Sequence, residues 1–296
     1  MKATIFKGSG VAIITPMNSD FSINYNELGR LIDWQVENGT DAIIICGTTG
    51  ESSTMTFEEH SECVRYTVER VNGRIPVIAG AGSNDTAYAV QLSKDAEQCG
   101  ADALLHVTPY YNKTSPLGLI RHFYTIADAT NLPVILYNVP ARTGMDISPN
   151  TYYELSKHPN IVATKEANGN VTSSVRARAL CGDDLHFYSG EDALIVPMLA
   201  AGGLGVISVL ANIAPRVTHD ICALYFEGKT AEASELQISY CPLIDALFSE
   251  TNPIPVKHAL NLAGVNAGPC RLPLIEMTNN TAVTLAAEMK KAGLLS

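Results

Sequence analysis

Short apolar runs recur along the first three quarters of the chain, each followed by a longer stretch with apolar positions at helical spacing. The runs at 11–14, 42–46, 76–79, 103–107, 133–137, 161–165, 186–189 and 206–208 are rich in β-branched residues and nearly free of polar ones. Strands buried on both faces read this way, as they do in a parallel sheet covered by helices. The helical stretches carry their own start signals. Asn24 stands three residues before Glu27, and Thr56 three before Glu59, the spacing at which a cap and a returning carboxylate meet. Segments 85–99, 116–129, 148–157, 171–180, 192–201 and 215–226 complete the helical pattern.

Eight strand–helix units in succession predict an α/β fold, a closed (β/α)8 barrel. An open, doubly wound sheet is the alternative. Its marker, a Gly-x-Gly-x-x-Gly turn after the first strand with an acid downstream, is absent. The alternation stops after Gly228. From Lys229 onward only helical pattern is left, broken at Pro253, Pro255, Pro269 and Pro273. Two domains are expected: a barrel over 1–228 and a small all-helical C-terminal domain over 229–296.

Composition narrows the partners. Of 296 residues, 46% are hydrophobic and only 17% charged, which fills a large core and argues against disorder. The net charge of −10 repels a phosphate backbone, so no nucleic acid is expected, and it speaks against a polybasic membrane patch. No apolar stretch reaches the roughly 20 residues that span a bilayer, and Met1-Lys2-Ala3-Thr4 leads into a strand-like run, unlike a signal peptide. Seven scattered cysteines without a Cys-x-x-Cys pair point to reduced thiols and a cytoplasmic setting. The histidines never fall at His-x-His or His-x-x-x-His spacing, so no metal site is expected.

In such a barrel the chemistry gathers at the C-terminal ends of the strands. The sixth run ends in Lys165. A lysine there either snorkels to the surface or is desolvated, and desolvation frees its nitrogen to attack a ketone. The fifth run ends in Tyr137, a core aromatic or a proton shuttle at the same rim. Arg142 follows in a Pro/Gly loop, as a surface ion pair or as a fork for a carboxylate. Gly47-Thr48-Thr49-Gly50-Glu51 closes the second run, where hydroxyls and turn N–H groups suit a carboxylate. Tyr110-Tyr111 follows the fourth run as packing or as a contact surface. The glycines of Ala200-Ala201-Gly202-Gly203-Leu204-Gly205 suit a helix C-cap better than a phosphate loop.

Together, Gly47-Thr48-Thr49-Gly50-Glu51, Tyr137-Asn138-Val139-Pro140-Ala141-Arg142-Thr143-Gly144, Lys165-Glu166 and Asn252-Pro253-Ile254-Pro255-Val256-Lys257 resemble the signatures of the dihydrodipicolinate synthase and N-acetylneuraminate lyase superfamily. The resemblance runs over nearly the whole chain. It implies the barrel with its helical tail, and a lysine-imine lyase of the class I aldolase type that needs no metal or organic cofactor. It implies that Lys165 forms an imine with pyruvate, and that Tyr137 gives and takes protons in a relay with Thr48 and Tyr111. Tyr111 would come from the neighbouring subunit, so a homo-oligomer is implied, a dimer or a dimer of dimers. Thr49 would bind the pyruvate carboxylate, helped by the backbones of Gly190 and Ile207. Arg142 would hold the carboxylate of L-aspartate 4-semialdehyde. That arginine favours the synthase branch over sibling aldolases and dehydratases of sialic acid or keto-deoxy sugar acids.

The resemblance further implies an L-lysine effector cleft at a dimer interface, matched here by Ser52, Ser53, His60, Gly82, Asn84 and Tyr110. Two positions depart from the inhibited pattern: Phe57 stands where relatives carry a His, and Tyr88 where they carry a Glu. Weak or absent lysine inhibition is expected. A non-catalytic sensing barrel would lack Lys165, Tyr137 or Thr48, and all three are present. A phosphate-binding isomerase lacks a convincing phosphate loop here.

Overall fold

The computed structural model describes residues 2–295. Eight parallel strands close into a barrel in chain order: β1 (Gly8–Ala12), β2 (Ala42–Ile45), β3 (Val77–Gly80), β4 (Ala103–Val107), β5 (Val134–Asn138), β6 (Ile161–Glu166), β7 (His186–Ser189) and β8 (Gly205–Ser208). Around them lie α1 (Tyr25–Glu37), α2 (Phe57–Val71), α3 (Thr86–Gln98), α4 (Pro116–Asp128), the single turn α5 (Pro140–Thr143), α6 (Pro149–Ser156), α7 (Val171–Cys181), α8 (Ile195–Ala200) and α9 (Pro215–Phe226). Helices α10 (Thr230–Leu247), α11 (Ile254–Leu262) and α12 (Asn279–Lys291) follow, so the expected barrel with a helical C-terminal part is the observed fold.

Strand periodicity divides the core in two. Ile44, Ile78, Leu105, Ile135, Tyr188 and Ile207 fill the lumen, while Ile43, Ile45, Val77, Leu104, Leu136 and Phe187 pack outward beneath the helices. Both faces are dry, which is why the strands read as unbroken apolar runs.

The boundaries differ from expectation where small residues build the sheet. β1 begins three residues before the predicted run, because Gly8, Ser9 and Gly10 pair with Gly205, Val206 and Ile207 of β8. A Cβ on Gly205 would lie 1.9 Å from the Gly8 carbonyl oxygen, so the closing seam admits no side chain there. Cys46 leaves β2 with φ +54, turning the chain into the threonine loop.

Both caps form, but the returning carboxylate appears only at Thr56, because the Glu27 carboxylate accepts from Arg30 instead. The Asn24 side chain accepts the Glu27 N–H at 3.1 Å. Thr56 accepts the Glu59 N–H at 3.2 Å, and the Glu59 carboxylate accepts the Thr56 N–H at 3.0 Å. Gly202 has φ +90 just past α8 and its N–H donates to the Leu199 carbonyl, the helix-ending role expected of it.

A fully buried ion pair helps to bolt the helical tail to the barrel, beside the half-buried pair of Arg271 with Glu59. Lys257 on α11 donates to Glu51 Oε1 at 2.8 Å, to the Pro269 carbonyl at 2.6 Å and to the Thr15 carbonyl at 3.2 Å. The Arg271 N–H donates to the second Glu51 oxygen at 2.8 Å. Among the described residues, no helix is long and apolar enough to cross a membrane.

Candidate active site

Two side chains meet inside the barrel at its C-terminal rim. In the β5–β6 ladder the register shifts between Val134 and Ile135, whose partners are Ile161 and Ala163. From there Tyr137 stands opposite Lys165. Both face the lumen, and the Lys165 ammonium position lies 4.3 Å from the centre of the Tyr137 ring. Gly190 makes room for them: a Cβ there would come within 2.8 Å of the Ala167 Cβ and 3.1 Å of Lys165 Cε.

Burial governs the electrostatics. Lys165 is only 6% exposed. Desolvation lowers its pKa from 10.5 to about 8, with Asp192 opposing and Arg142 assisting. About a tenth of the amine is therefore neutral and nucleophilic at pH 7, where an ordinary lysine has far less than a hundredth. Desolvation raises Tyr137 to about 12, with Arg142 and the Thr48 hydroxyl pulling back. The phenol keeps its proton until a neighbouring base needs one.

Around this pair the rim opens into adjoining cavities. One of about 310 Å³ brings together Lys165, Tyr137, Thr48, Thr49, Arg142 and Gly190. A narrow extension of about 50 Å³ runs down to Thr48, Thr49, Tyr137 and Lys165 from the β2–β3 side. Arg142 is aimed by the α5 turn and donates to the Asn252 carbonyl at 3.1 Å. Asn252 Nδ2 donates to Thr49 Oγ1 at 3.0 Å. Six of the eight expected catalytic and substrate-binding residues thus share one cavity. Ile207 is buried in the lumen. Tyr111 lies elsewhere, 91% exposed with φ +68, its ring in solvent.

A second cavity of about 460 Å³ joins the first at Thr48 and Arg142. Ser52, Ser53, His60, Gly82 and Tyr110 line it, as does Tyr88. Asn84 does not; its carbonyl accepts from Asn112 Nδ2 at 2.9 Å. Phe57 packs against the hydrophobic core instead.

Three residues at the site carry no role in the sequence reading. Asp192 lines the Lys165 cavity, buried, with Oδ2 accepting the N–H groups of Val209 and Leu210 at 3.1 and 2.9 Å. In the sequence it only opens the helical stretch 192–201. Glu166 turns outward beside Lys165 and accepts from Tyr152, from Asn138 Nδ2 and from the Asn168 N–H at 2.7, 3.0 and 3.0 Å. Burial pushes it up to about 7, and this network fixes the end of β6. Asn252 stood within a recognised motif, yet nothing local pointed it at Thr49.

Comparison with known proteins places the chain in a family. The dihydrodipicolinate synthetase family matches residues 5–292. The 4-hydroxy-tetrahydrodipicolinate synthase of Lachnoclostridium phytofermentans is 56% identical over 292 residues, covering 98% of this chain and 99% of its own. A dihydrodipicolinate synthase from Acinetobacter baumannii, solved in complex with pyruvate, superposes with a TM-score of 0.96 at 42% identity, covering 99% of this chain and 100% of its own. One from Cyanidioschyzon merolae, solved with lysine bound, gives 0.96 at 40% identity over the same shares. The chain belongs to the dihydrodipicolinate synthetase family.

Proposed function

We propose that this chain performs the 4-hydroxy-tetrahydrodipicolinate synthase reaction, condensing pyruvate with L-aspartate 4-semialdehyde through an imine on Lys165. The observation that carries this reading is a buried lysine without a hydrogen-bond partner among the described residues, set against a tyrosine in a cavity that also holds Arg142 and Thr49. Family membership supports the same chemistry.

Neutral Lys165 attacks the pyruvate ketone, and the resulting carbinolamine loses water with a proton from Tyr137. Loss of a methyl proton from the iminium gives an enamine, with the nitrogen as electron sink. The enamine carbon adds to the semialdehyde carbonyl, whose oxygen is protonated through the Tyr137–Thr48 relay. The substrate's own amine then attacks the imine carbon, closes the ring and releases Lys165. Thr49, with the Gly190 and Ile207 backbones, holds the pyruvate carboxylate, and Arg142 holds that of the semialdehyde. This is lyase chemistry that calls for no organic cofactor. The exposed Tyr111 serves the relay of a neighbouring copy, which makes the working unit a homo-oligomer. The division at 228/229 into a catalytic barrel and a helical domain belongs to the same reading.

A coupled assay tests it. Pyruvate and aspartate semialdehyde are supplied with the downstream reductase, and NADPH loss is followed. Turnover that needs the semialdehyde is expected, as is borohydride trapping of pyruvate on Lys165. Condensation with N-acetylmannosamine, and none with the semialdehyde, would overturn the assignment in favour of a sibling aldolase.

A further inference from the structure

A threonine hydroxyl has one hydrogen to donate, and its direction depends on what the oxygen already accepts. Thr49 Oγ1 accepts a hydrogen bond from Asn252 Nδ2 at 3.0 Å. With an N–H already pointing at that oxygen, the Thr49 hydrogen is directed away from Asn252. Both residues line the cavity that holds Lys165. Asn252 is 6% exposed, and its Oδ1 has no partner among the described residues. Turned the other way, the amide would offer that oxygen to Thr49 and capture its hydrogen. The backbone carbonyl of the same residue accepts from Arg142 Nη2 at 3.1 Å. The side chain of Asn252 therefore touches one proposed carboxylate-binding group and its main chain the other.

We propose that Asn252 is a positioning residue that makes Thr49 a hydrogen-bond donor toward the pyruvate carboxylate. This rests on the assignment of Thr49 to that carboxylate. It also gives the helical tail a part in the reaction, since Asn252 lies beyond the barrel between α10 and α11. The side-chain and main-chain contacts separate cleanly. Truncating the amide removes the support of Thr49 and leaves the carbonyl that Arg142 uses.

Two variants test this in the intact protein. Asn252→Ala is expected to raise the KM for pyruvate about tenfold, the worth of one hydrogen bond to a charged group. The KM for aspartate semialdehyde should move less than about twofold. Asn252→Asp is nearly isosteric but reverses the polarity: its carboxylate accepts the Thr49 hydrogen and repels the pyruvate carboxylate. Pyruvate affinity, read from borohydride trapping against concentration, should fall roughly thirtyfold or more near pH 8. Protonation turns that side chain into a donor again. The variant-to-wild-type ratio of affinities should therefore recover at least about fivefold by pH 5.5, whereas the Asn252→Ala ratio stays flat. Should Asn252→Asp fail to fold, the KM split in Asn252→Ala decides. Ratios near one in either variant, or equal losses for both substrates, would overturn the proposal while leaving the Lys165 reading intact. Wild-type protein that traps no pyruvate would overturn the Lys165 reading and this inference with it.

Discussion

Among the described residues two lysines are buried, and they are buried differently. Lys257 meets a carboxylate and two carbonyl oxygens. Lys165, at the barrel rim, meets a tyrosine ring and has no hydrogen-bond partner or ion pair among the described residues. A buried lysine nitrogen with three acceptors is tied to its neighbours and serves as a bolt. A buried ammonium without them is pushed toward the neutral amine. Burial supplies the same desolvation in both places. The acceptors around the nitrogen decide whether it becomes structure or nucleophile.

The sharpest break of that contrast comes from exchanging each lysine for an apolar residue. Lys165→Met should cost roughly 10⁴-fold or more in turnover, since no other group can form the imine. Steady-state rates and borohydride trapping read this directly, and retained trapping would move the nucleophile elsewhere. Lys257→Met should act on stability first. It leaves Glu51 buried with only the Arg271 N–H, a loss on the order of 3–5 kcal/mol. Denaturant melts measure it. Adding Glu51→Gln should restore part of the loss, because the uncompensated charge goes with it. Below its melting temperature the Lys257→Met protein should still trap pyruvate.

Lys165→Met carries a second, smaller consequence of opposite sign. The amine titrates at 10.5 when unperturbed and at about 8 in the fold. Between those values the unfolded chain binds more protons than the folded one, so stability rises with pH across that window. Below pH 8 the folded protein bears the full burden of a buried cation, about 3 kcal/mol as an upper bound. Lys165→Met should therefore be more stable than the parent below pH 8. The gain should shrink as pH rises and vanish above about 10.5. A gain independent of pH would mean that packing, not charge, sets the difference.

The same contrast shows what a sequence discloses. Lys165, Tyr137, Thr48 and Thr49 were legible because each follows an apolar strand run, and strand ends share one rim. The eight strands were legible because both of their faces are dry. The glycine-rich start of β1 was not, since its role is to let two backbones approach at the closing seam. The Lys257–Glu51 bond spans 206 residues and the Asn252–Thr49 bond 203, so no local pattern announces either. Asp192 was illegible for a related reason. An acid opening a helical stretch normally caps its own helix, whereas this one binds the N–H groups of the turn after β8. Such partners are set by tertiary packing, and sequence supplies only the residue types.

The rule extends to an ammonium that arrives from outside. L-lysine is the effector that the family resemblance implies for the second cavity, and it carries two ammonium groups into it. Ser52, Ser53, His60 and Tyr110 offer that ligand hydroxyls and an imidazole. None of the described residues lining the cavity is an aspartate or a glutamate, and Tyr88 stands where the resemblance implies an acid. His60 gives no compensation, because burial lowers its pKa and its Nε2 is held at the Gly80 carbonyl, 2.8 Å away. A ligand ammonium entering here loses water without gaining a carboxylate, the situation that drives Lys165 toward neutrality. A free amino acid will sooner stay in water than surrender its proton. Lysine at sub-millimolar concentration should therefore leave turnover essentially unchanged. Tyr88→Glu should strengthen lysine binding about tenfold, the yield of one charge-assisted hydrogen bond at a half-exposed site. Calorimetric titration of both proteins measures the difference. Tight binding by the parent would show that hydroxyls and carbonyls alone suffice for a buried ammonium, and the contrast between Lys165 and Lys257 would then need another cause.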